Sequence, residues 1–328
     1  MDQHFEQIET NGITLRVATA GPEEGPLVVL AHGFPESWFS WRHQLGPLAD
    51  AGYRVAAPDM RGYGGSDRPD PIEAYSLAEM ARDMAGLAAA LQPARPAVIV
   101  GHDWGAPIAW QSALRHPDRF RAVAGLSVPY RLPGPKSPLE LTKEAFIDRG
   151  MFFYLHYFQE PGVAEEELEG DVRAAIRTMY YGWSGDAPKG YWHNKRPPSS
   201  KLFEGIDAPP DTMPDWLPPE AENYYVAEFE RAGFSGALNR YRNFERDQAD
   251  MLAMDDPVIK QPSLFIAGTK DPALVTTPEA TVKALDEALA DLRGAHFIDG
   301  VGHWTQQEAP DEVTGLLLDW LCQIAPTT

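Results

Sequence analysis

The feature that most constrains the fold is a short apolar run followed by an aspartate between two glycines. Ala97-Val98-Ile99-Val100 has the length of a buried strand, and Gly101-His102-Asp103-Trp104-Gly105 follows it directly. Ala106 to Leu114 then has the pattern of a helix. A strand, Gly-x-nucleophile-x-Gly and a helix make a nucleophile elbow, a strained turn in which a side chain on either glycine would clash. The pattern predicts a turn that presents Asp103 as a nucleophile.

Asp103 stands where such turns usually carry a serine. A carboxylate is already ionised at neutral pH, so it can attack an electrophilic carbon without first losing a proton, and it becomes an ester. That chemistry suits epoxides and alkyl halides better than amides or ordinary esters. The five residues alone leave a second interpretation open, in which Asp103 only caps the following helix. The rest of the chain decides between the two.

Strands and helices alternate over the first 130 residues and again near the end of the chain, which predicts a mostly parallel sheet covered by helices on both faces. The predicted strands are Ile13 to Thr19, Leu27 to Ala31, Arg54 to Ala57, Val98 to Val100, Ala122 to Leu126, Ser263 to Ala267 and Ala295 to Ile298. The predicted helices of this part are Trp38 to Ala49, Leu77 to Leu91 with Ser76 as N-cap, Ala106 to Leu114, Pro278 to Ala290 and Asp311 to Ile324.

The middle of the chain has a different character. Residues 131–255 are rich in Tyr, Glu and Arg, with helical patterns at Glu165 to Tyr180 and Ala221 to Ala232. Eight prolines between about 186 and 219 exclude a regular helix or strand there. We therefore predict an α/β-hydrolase fold whose core comprises residues 1–130 and 256–328. A helical cap, residues 131–255, is inserted with a proline-stiffened loop.

Composition excludes several classes of partner. The net charge of -20 argues against nucleic acid and anionic membranes. Cys322 is the only cysteine, so we expect no intramolecular disulfide and a buried, inert thiol. No apolar run approaches the length of a membrane span, and residues 1–4 lack the features of a secretory signal, so we expect a cytoplasmic protein. We expect no cofactor or metal, and the oligomeric state, a homodimer included, is left open.

An ester on Asp103 must be hydrolysed by an activated water, which requires a base oriented by an acid. His303 lies in the glycine-framed loop after the last predicted strand and is the candidate base. After the strand that precedes it, the chain has Asp271, which we expect to hydrogen-bond the imidazole and fix its tautomer. The alternative for Asp271 is a turn residue ahead of Pro272.

Hydrolysis through an oxyanion also needs backbone donors. We expect one from Trp104, the residue after the nucleophile, and one from Phe34, in the loop that follows Leu27 to Ala31. Gly33 permits the close approach. His32 resembles a second base, but its place at a strand end in a glycine turn predicts a structural hydrogen bond.

At this point the chain resembles the α/β-hydrolase-fold epoxide hydrolases over nearly its whole length, and particularly the catalytic domain of the mammalian soluble enzymes. The motifs that carry the resemblance are His32-Gly33-Phe34-Pro35-Glu36-Ser37-Trp38, Asp59-Met60-Arg61-Gly62-Tyr63-Gly64-Gly65-Ser66, Gly101-His102-Asp103-Trp104-Gly105, Tyr157-Phe158-Gln159-Glu160-Pro161-Gly162-Val163-Ala164-Glu165, Leu238-Asn239-Arg240-Tyr241-Arg242-Asn243 and Gly302-His303-Trp304-Thr305-Gln306. The resemblance implies a small-molecule epoxide and water as substrates, Tyr154 and Tyr241 as donors to the epoxide oxygen, and a cis peptide before Pro35. We expect the substrate pocket to be lined by Phe34, Pro35, Trp38, Trp104 and Trp304.

The tyrosines also make chemical sense without the resemblance. Opening an epoxide leaves an alkoxide, a poor leaving group, so an acid must donate a proton to it. A phenol remains protonated at neutral pH and can do so. The residues alone do not select the pair, because the middle of the chain also contains Tyr157, Tyr180, Tyr181, Tyr191, Tyr224 and Tyr225.

Three other interpretations compete. A haloalkane dehalogenase would use the same Asp-His-Asp set, but its halide needs N–H donors, and apolar Phe34 stands where a second polar side chain would be expected. A fluoroacetate dehalogenase would need arginines just after the nucleophile, where this chain has Trp104-Gly105-Ala106-Pro107. A ligand-binding protein without activity would not need Asp103, His303 and Asp271 together. The sequence favours an epoxide hydrolase, without specifying which epoxide.

Overall fold

Eight strands form one sheet, in the order β1-β2-β4-β3-β5-β6-β7-β8. The structure is a computed structural model that describes residues 4–193, 195–274 and 276–327. β1 and β2 pair antiparallel, β2 pairs antiparallel with β4, and every other pairing is parallel. The strands are β1 (His4–Thr10), β2 (Ile13–Ala20), β3 (Leu27–Ala31), β4 (Arg54–Pro58), β5 (Ala97–His102), β6 (Phe120–Leu126), β7 (Ile259–Gly268) and β8 (Leu289–Ile298).

Helices cover both faces of the sheet and fill the stretch between β6 and β7. They are α1 (Arg42–Asp50), α2 (Leu77–Leu91), α3 (Gly105–Arg115), α4 (Pro138–Ala145), α5 (Tyr154–Tyr157), α6 (Val163–Gly170), α7 (Val172–Trp183), α8 (Pro219–Ala232), α9 (Ser235–Tyr241), α10 (Phe244–Leu252), α11 (Pro278–Ala288), α12 (Thr305–Glu308) and α13 (Pro310–Ile324). Short 3₁₀ turns are at Trp38–Trp41, Ile72–Tyr75 and Ile147–Arg149.

The central strands are apolar on both sides because each side is covered. Val28 and Val98 face the core beneath α1 and α13, while their neighbours Val29 and Ile99 face the opposite core beneath α2 and α3. Successive side chains of a strand point to opposite faces, so a strand covered twice reads as a continuous apolar run. The predicted mostly parallel sheet with helices on both faces is confirmed.

Parallel pairing determines where the site can form. The carboxyl ends of β3, β5, β6, β7 and β8 meet at one edge of the sheet. The seven helices α4–α10 lie between β6 and β7 in the chain, and α7 and α8 pack on each other. The division of the chain at residues 130 and 255 stays a prediction. The described residues between α7 and α8 form no helix or strand, for which their prolines account.

Two predicted elements differ from the structure. The helix expected at Glu165 to Tyr180 is two helices, because the Asp171 carboxylate accepts the Ala174 N–H at 2.9 Å and starts α7 afresh. The last strand was expected only from Ala295, whereas β8 begins at Leu289. Leu289 pairs with Ile259 of β7, so tertiary pairing extends the strand through a segment too polar to be recognised from its pattern.

Candidate active site

Asp103 lies in a strained turn between β5 and α3. Its φ is +51°, which an L residue adopts only at a cost. A Cβ added to Gly101 would lie 1.9 Å from the Gly105 carbonyl oxygen, and one added to Gly105 would lie 2.1 Å from that of Ala31. Both contacts are far inside van der Waals range, so the two glycines are required for this turn. The aspartate is thereby presented at the carboxyl edge of the sheet.

The Asp103 carboxylate has two fixed partners. The Phe34 N–H donates to Oδ1 at 2.7 Å, and His303 Nε2 lies 3.2 Å from Oδ2. Gly33 permits this approach, since a Cβ there would lie 2.3 Å from Oδ1. Burial tends to raise the pKa of Asp103, but His303, His102 and the Phe34 N–H outweigh it and hold the pKa below its usual value. The carboxylate is therefore ionised at neutral pH.

His303 bridges Asp103 and a second carboxylate. Its Nδ1 lies 3.0 Å from Oδ1 and 3.1 Å from Oδ2 of Asp271, which is itself buried at the end of β7. Burial lowers the pKa of His303, but Asp271 and Asp103 together raise it well above its usual value. The carboxylates assign the Nδ1 proton to the Asp271 side and leave Nε2 to face Asp103. The structure thus brings together the three predicted catalytic residues.

Tyr154 and Tyr241 line the same space as Asp103. Both line the two cavities that meet at Asp103, and their ring centroids are 6.3 Å apart. Tyr154 begins α5 and Tyr241 ends α9, so residues 87 apart in the chain converge from different helices. Burial, with a smaller contribution from the Asp103 charge, raises the pKa of both phenols. Both phenols therefore keep their protons at neutral pH.

The six competing tyrosines are directed elsewhere. None of them lines either cavity that contains Asp103, and each hydroxyl is hydrogen-bonded to another protein group. Tyr157 bonds Glu167, Tyr180 bonds the Pro35 carbonyl, Tyr181 and Tyr191 bond the Asp186 and Asp207 carbonyls, Tyr224 bonds Trp38, and Tyr225 bonds Ser40 and Gln307. The structure therefore distinguishes Tyr154 and Tyr241 from the six other tyrosines, which the residues alone could not do.

Four of the five expected pocket residues line the cavities around Asp103. Phe34, Pro35 and Trp304 line one and Trp104 the other, and the peptide between Phe34 and Pro35 is cis, as the resemblance implied. Trp38 does not line them, which corrects the prediction. Trp38 begins the 3₁₀ turn at Trp38–Trp41 and is buried in the core with Trp41, and its indole N–H donates to Tyr224 Oη at 2.6 Å.

Sequence reasoning missed a buried group of polar side chains, His102, Glu36 and Ser127, that contacts the backbone carbonyl of His303. His102 Nδ1 is hydrogen-bonded to the Glu36 carboxylate, and His102 Nε2 donates to the His303 carbonyl at 2.7 Å. The Ser127 hydroxyl donates to the same carbonyl at 2.8 Å. His102 is the x of the Gly-x-Asp motif and is fully buried, and its partners Glu36 and His303 lie 66 and 201 residues away in the chain, so no local pattern identified it.

His32 has a structural role, as predicted. Its Nδ1 is 2.9 Å from the Gly33 carbonyl, and its Nε2 accepts the Met60 N–H at 2.9 Å, so both nitrogens are occupied. Burial lowers its pKa, which keeps the ring neutral. His32 therefore fastens the loop that carries Phe34 to the end of β4.

Cys322 was expected to be buried and is exposed. Val313, Leu317 and Leu321 form the packed face of α13, and Cys322 falls beside that face.

Across the part of the chain that the structure describes, no three His, Cys, Asp or Glu side chains are grouped as metal ligands. No helix within residues 4–193, 195–274 and 276–327 is both long and apolar enough to span a membrane.

Comparison with known proteins gives a consistent set of relatives. The family model for the alpha/beta hydrolase fold matches residues 26–157. Epoxide hydrolase A of Mycobacterium tuberculosis is 44% identical over 317 residues, which cover 96% of each chain. Bifunctional epoxide hydrolase 2 of Rattus norvegicus is 38% identical over 94% of this chain and 54% of its own length. The crystal structure of epoxide hydrolase A from Mycobacterium thermoresistibile superposes with a TM-score of 0.89, at 43% identity and 98% coverage of both chains.

Proposed function

Because this chain belongs to the epoxide hydrolases of the α/β-hydrolase fold, we propose that it converts epoxides to vicinal diols through a covalent ester on Asp103. One observation carries the proposal: a carboxylate from the turn after β5 and two phenols from α5 and α9 line the same space. An epoxide between Asp103 and the pair Tyr154 and Tyr241 would meet a nucleophile at its carbon and acids at its oxygen.

In the first step Asp103 attacks a ring carbon, and a carbon–oxygen bond of the epoxide breaks. The electron pair of that bond goes to the departing oxygen, which takes a proton from Tyr154 or Tyr241. The lowered pKa of Asp103 supports its role as a nucleophile, and the raised pKa values of the phenols support their role as donors in the protonated form. The phenolate that remains regains its proton at the end of the second step.

In the second step His303 removes a proton from water, which attacks the Asp103 carboxyl carbon. The oxyanion is stabilised by the N–H groups of Phe34 and Trp104. The ester C–O bond then breaks, the departing alkoxide takes a proton from the His303 imidazolium, and the diol leaves as the only product. The proton of the regenerated Asp103 carboxyl group passes through water to the phenolate. The 2.7 Å hydrogen bond from Phe34 to Asp103 Oδ1 supports the assignment of Phe34, while Trp104 is assigned as the residue that follows the nucleophile. Asp271, which faces His303 Nδ1, stabilises the imidazolium that forms.

A haloalkane dehalogenase would employ the same three residues but would need N–H donors for a departing halide. Two phenols opposite the nucleophile favour an oxygen leaving group instead. We expect the purified protein, with no added metal or coenzyme, to form a diol from 1,2-epoxyoctane and to release no bromide from 1-bromooctane. Bromide release without diol formation from any epoxide would reverse the assignment.

The covalent ester is tested by trapping it. His303→Gln should form the ester but hydrolyse it slowly, so incubation with epoxide should add one substrate mass to the protein. Mass spectrometry should place the adduct in the peptide that contains Asp103. The control is the double variant Asp103→Ala with His303→Gln, which should gain no mass. An adduct in the control would assign the nucleophile to another residue.

Isotope labelling distinguishes the ester from direct attack by water. In a single turnover of the wild-type enzyme in H₂¹⁸O, the ester route leaves the label in the Asp103 carboxylate, because water attacks the carboxyl carbon. Direct attack on the epoxide would put all the label in the diol and none in Asp103. The second pattern would disprove the two-step scheme.

A further inference from the structure

Two compartments of very different size meet at Asp103. The small compartment, closed by Phe34, Met179, Leu202 and Trp304, has a volume of about 30 Å³. The large compartment, which extends past Phe153, Phe244 and Met251, has a volume of about 590 Å³. Asp103, Tyr154, Tyr241, Trp183 and Trp192 line both. The reacting group would therefore sit at the junction, with very unequal space on its two sides.

The walls of the small compartment are held by tight packing. Trp304 stacks on Tyr180 with ring centroids 4.4 Å apart, and its indole N–H donates to the Tyr180 carbonyl at 2.7 Å. Phe34 packs edge-on against Tyr241 at 5.4 Å, and Met179 and Leu202 are buried. A volume near 30 Å³ holds roughly one water-sized group. Because close-packed side chains resist displacement, this compartment cannot open for a chain or ring without rearrangement.

The large compartment suits an extended apolar group. Its volume lies within the range of about 300–1,000 Å³ that is usual for small-molecule pockets, and most of its lining is aromatic or aliphatic. Besides Asp103, the charged residues among its described lining are Arg240 and Asp247, which form an ion pair with each other. The Gln248 amide donates to the Gly134 carbonyl. A charged substituent would thus lose its hydration without gaining a counter-ion.

We propose that this enzyme selects terminal epoxides that carry one extended, uncharged apolar substituent. The proposal rests on the proposed function, because it requires the epoxide oxygen to lie between Tyr154 and Tyr241. With the oxygen held there, the two ring carbons point towards opposite compartments. The large compartment receives the substituent, and the small compartment receives the unsubstituted CH₂ end.

A homologous substrate series tests the size limit. The series keeps one hexyl group and enlarges the other side from hydrogen to methyl to hexyl: 1,2-epoxyoctane, trans-2,3-epoxynonane and trans-7,8-epoxytetradecane. We expect kcat/KM to fall along the series, by at least a hundredfold between its two ends. A second pair tests charge: methyl 10,11-epoxyundecanoate should exceed the 10,11-epoxyundecanoate anion by at least tenfold.

Variants of the small compartment supply the structural control. Leu202→Ala and Met179→Ala should each raise the kcat/KM ratio of 7,8-epoxytetradecane to 1,2-epoxyoctane at least tenfold, because each removes a wall of that compartment. The backbone hydrogen bonds of Leu202 do not depend on its side chain, and Met179→Ala provides the test if the other variant fails to fold. Ile176→Ala, which removes a similar volume from α7 outside both compartments, should leave the ratio unchanged.

The outcomes separate the two proposals. Equal kcat/KM values across the hexyl series, or an unchanged ratio in both variants, would overturn the size selection while leaving epoxide hydrolysis intact. A carboxylate that matches its methyl ester would overturn the preference for uncharged substituents. Failure to hydrolyse any epoxide, with bromide released from 1-bromooctane, would instead overturn the proposed function.

Discussion

His303 must be neutral to accept a proton from water, yet in the unreacted enzyme it lies between two carboxylates. Burial lowers its pKa, but Asp271 and Asp103 outweigh burial and raise it well above the usual value. In the proposed reaction, forming the ester would remove the negative charge of Asp103, which is one of the two charges that raise the pKa of His303. Alkylation would therefore convert His303 from a stabilised cation into a base at the moment when a base is needed.

Ester hydrolysis should therefore depend on pH through the protonation of His303. Below the pKa that His303 has in the ester, the ring is charged and cannot accept a proton, so the single-turnover hydrolysis rate should fall about tenfold per pH unit. The inflection should lie at lower pH than the titration of His303 in the unreacted enzyme, measured by ¹⁵N NMR. Coincident values would mean that the charge on Asp103 does not influence His303.

The phenols are predicted to act as a pair. Tyr154→Phe or Tyr241→Phe alone leaves one donor, so alkylation should slow by about ten- to a hundredfold, the equivalent of roughly 1.5–3 kcal/mol for one charge-assisted hydrogen bond. Removing both should abolish turnover and leave hydrolysis of a preformed ester nearly unchanged. Tyr157→Phe is the matched control, because that hydroxyl bonds Glu167. A folded double variant with near wild-type alkylation would require another proton donor.

At the scale of elements, the turn that carries Asp103 and the loop that carries His303 are connected by buried hydrogen bonds through His102. His102 ends β5, Glu36 follows β3, and His303 follows β8, so one chain of hydrogen bonds crosses three strand ends. The His303 carbonyl can only accept, which fixes a proton on His102 Nε2. Glu36 then determines the orientation of the ring through Nδ1. The group would set the position of His303 without contacting substrate.

Glu36→Ala should therefore slow ester hydrolysis by about ten- to a hundredfold, as expected for the loss of a hydrogen bond to a charged group. Glu36→Gln retains a side-chain amide that can bond His102 Nδ1, so it should recover most of the rate. Stopped-flow tryptophan fluorescence can follow alkylation and hydrolysis separately. If Glu36→Ala slowed alkylation and ester hydrolysis equally, and Glu36→Gln did not restore hydrolysis, the hydrogen bond between Glu36 and His102 would contribute only to stability.

At the scale of the molecule, what could be predicted was local or followed from topology. The β5–elbow–α3 pattern is contiguous, and parallel pairing then requires Asp103, Asp271 and His303 to share one edge. The contacts that sequence reasoning missed join distant residues: His102 meets Glu36 across 66 positions and the His303 carbonyl across 201. Trp38 was misplaced for the same reason, because its partner Tyr224 is 186 residues away. No local pattern encodes such pairings.

A buried ion network joins β2 to α8 and should be important for the stability of the whole molecule. Asp59 is fully buried; Arg16 Nε donates to it at 2.5 Å, and another nitrogen of the same guanidinium donates to Glu228 at 2.7 Å. Arg16→Met would leave Asp59 without its counter-ion, at a cost of about 3–5 kcal/mol. With an unfolding entropy of about 2.1 cal/mol/K per residue, the thermal midpoint should fall by roughly 4–8 °C.

Two further variants determine whether the lost charge pairing is the cause. Asp59→Asn in the Arg16→Met background removes the uncompensated charge and should reverse at least half of the decrease in the thermal midpoint. Arg82→Met breaks an exposed ion pair with Glu79 and should change the midpoint by about 1.5 °C or less, since surface pairs contribute roughly 0–1 kcal/mol. Calorimetry of the four proteins gives the comparison. If Arg16→Met changed the midpoint no more than Arg82→Met does, the network would contribute nothing beyond a surface pair.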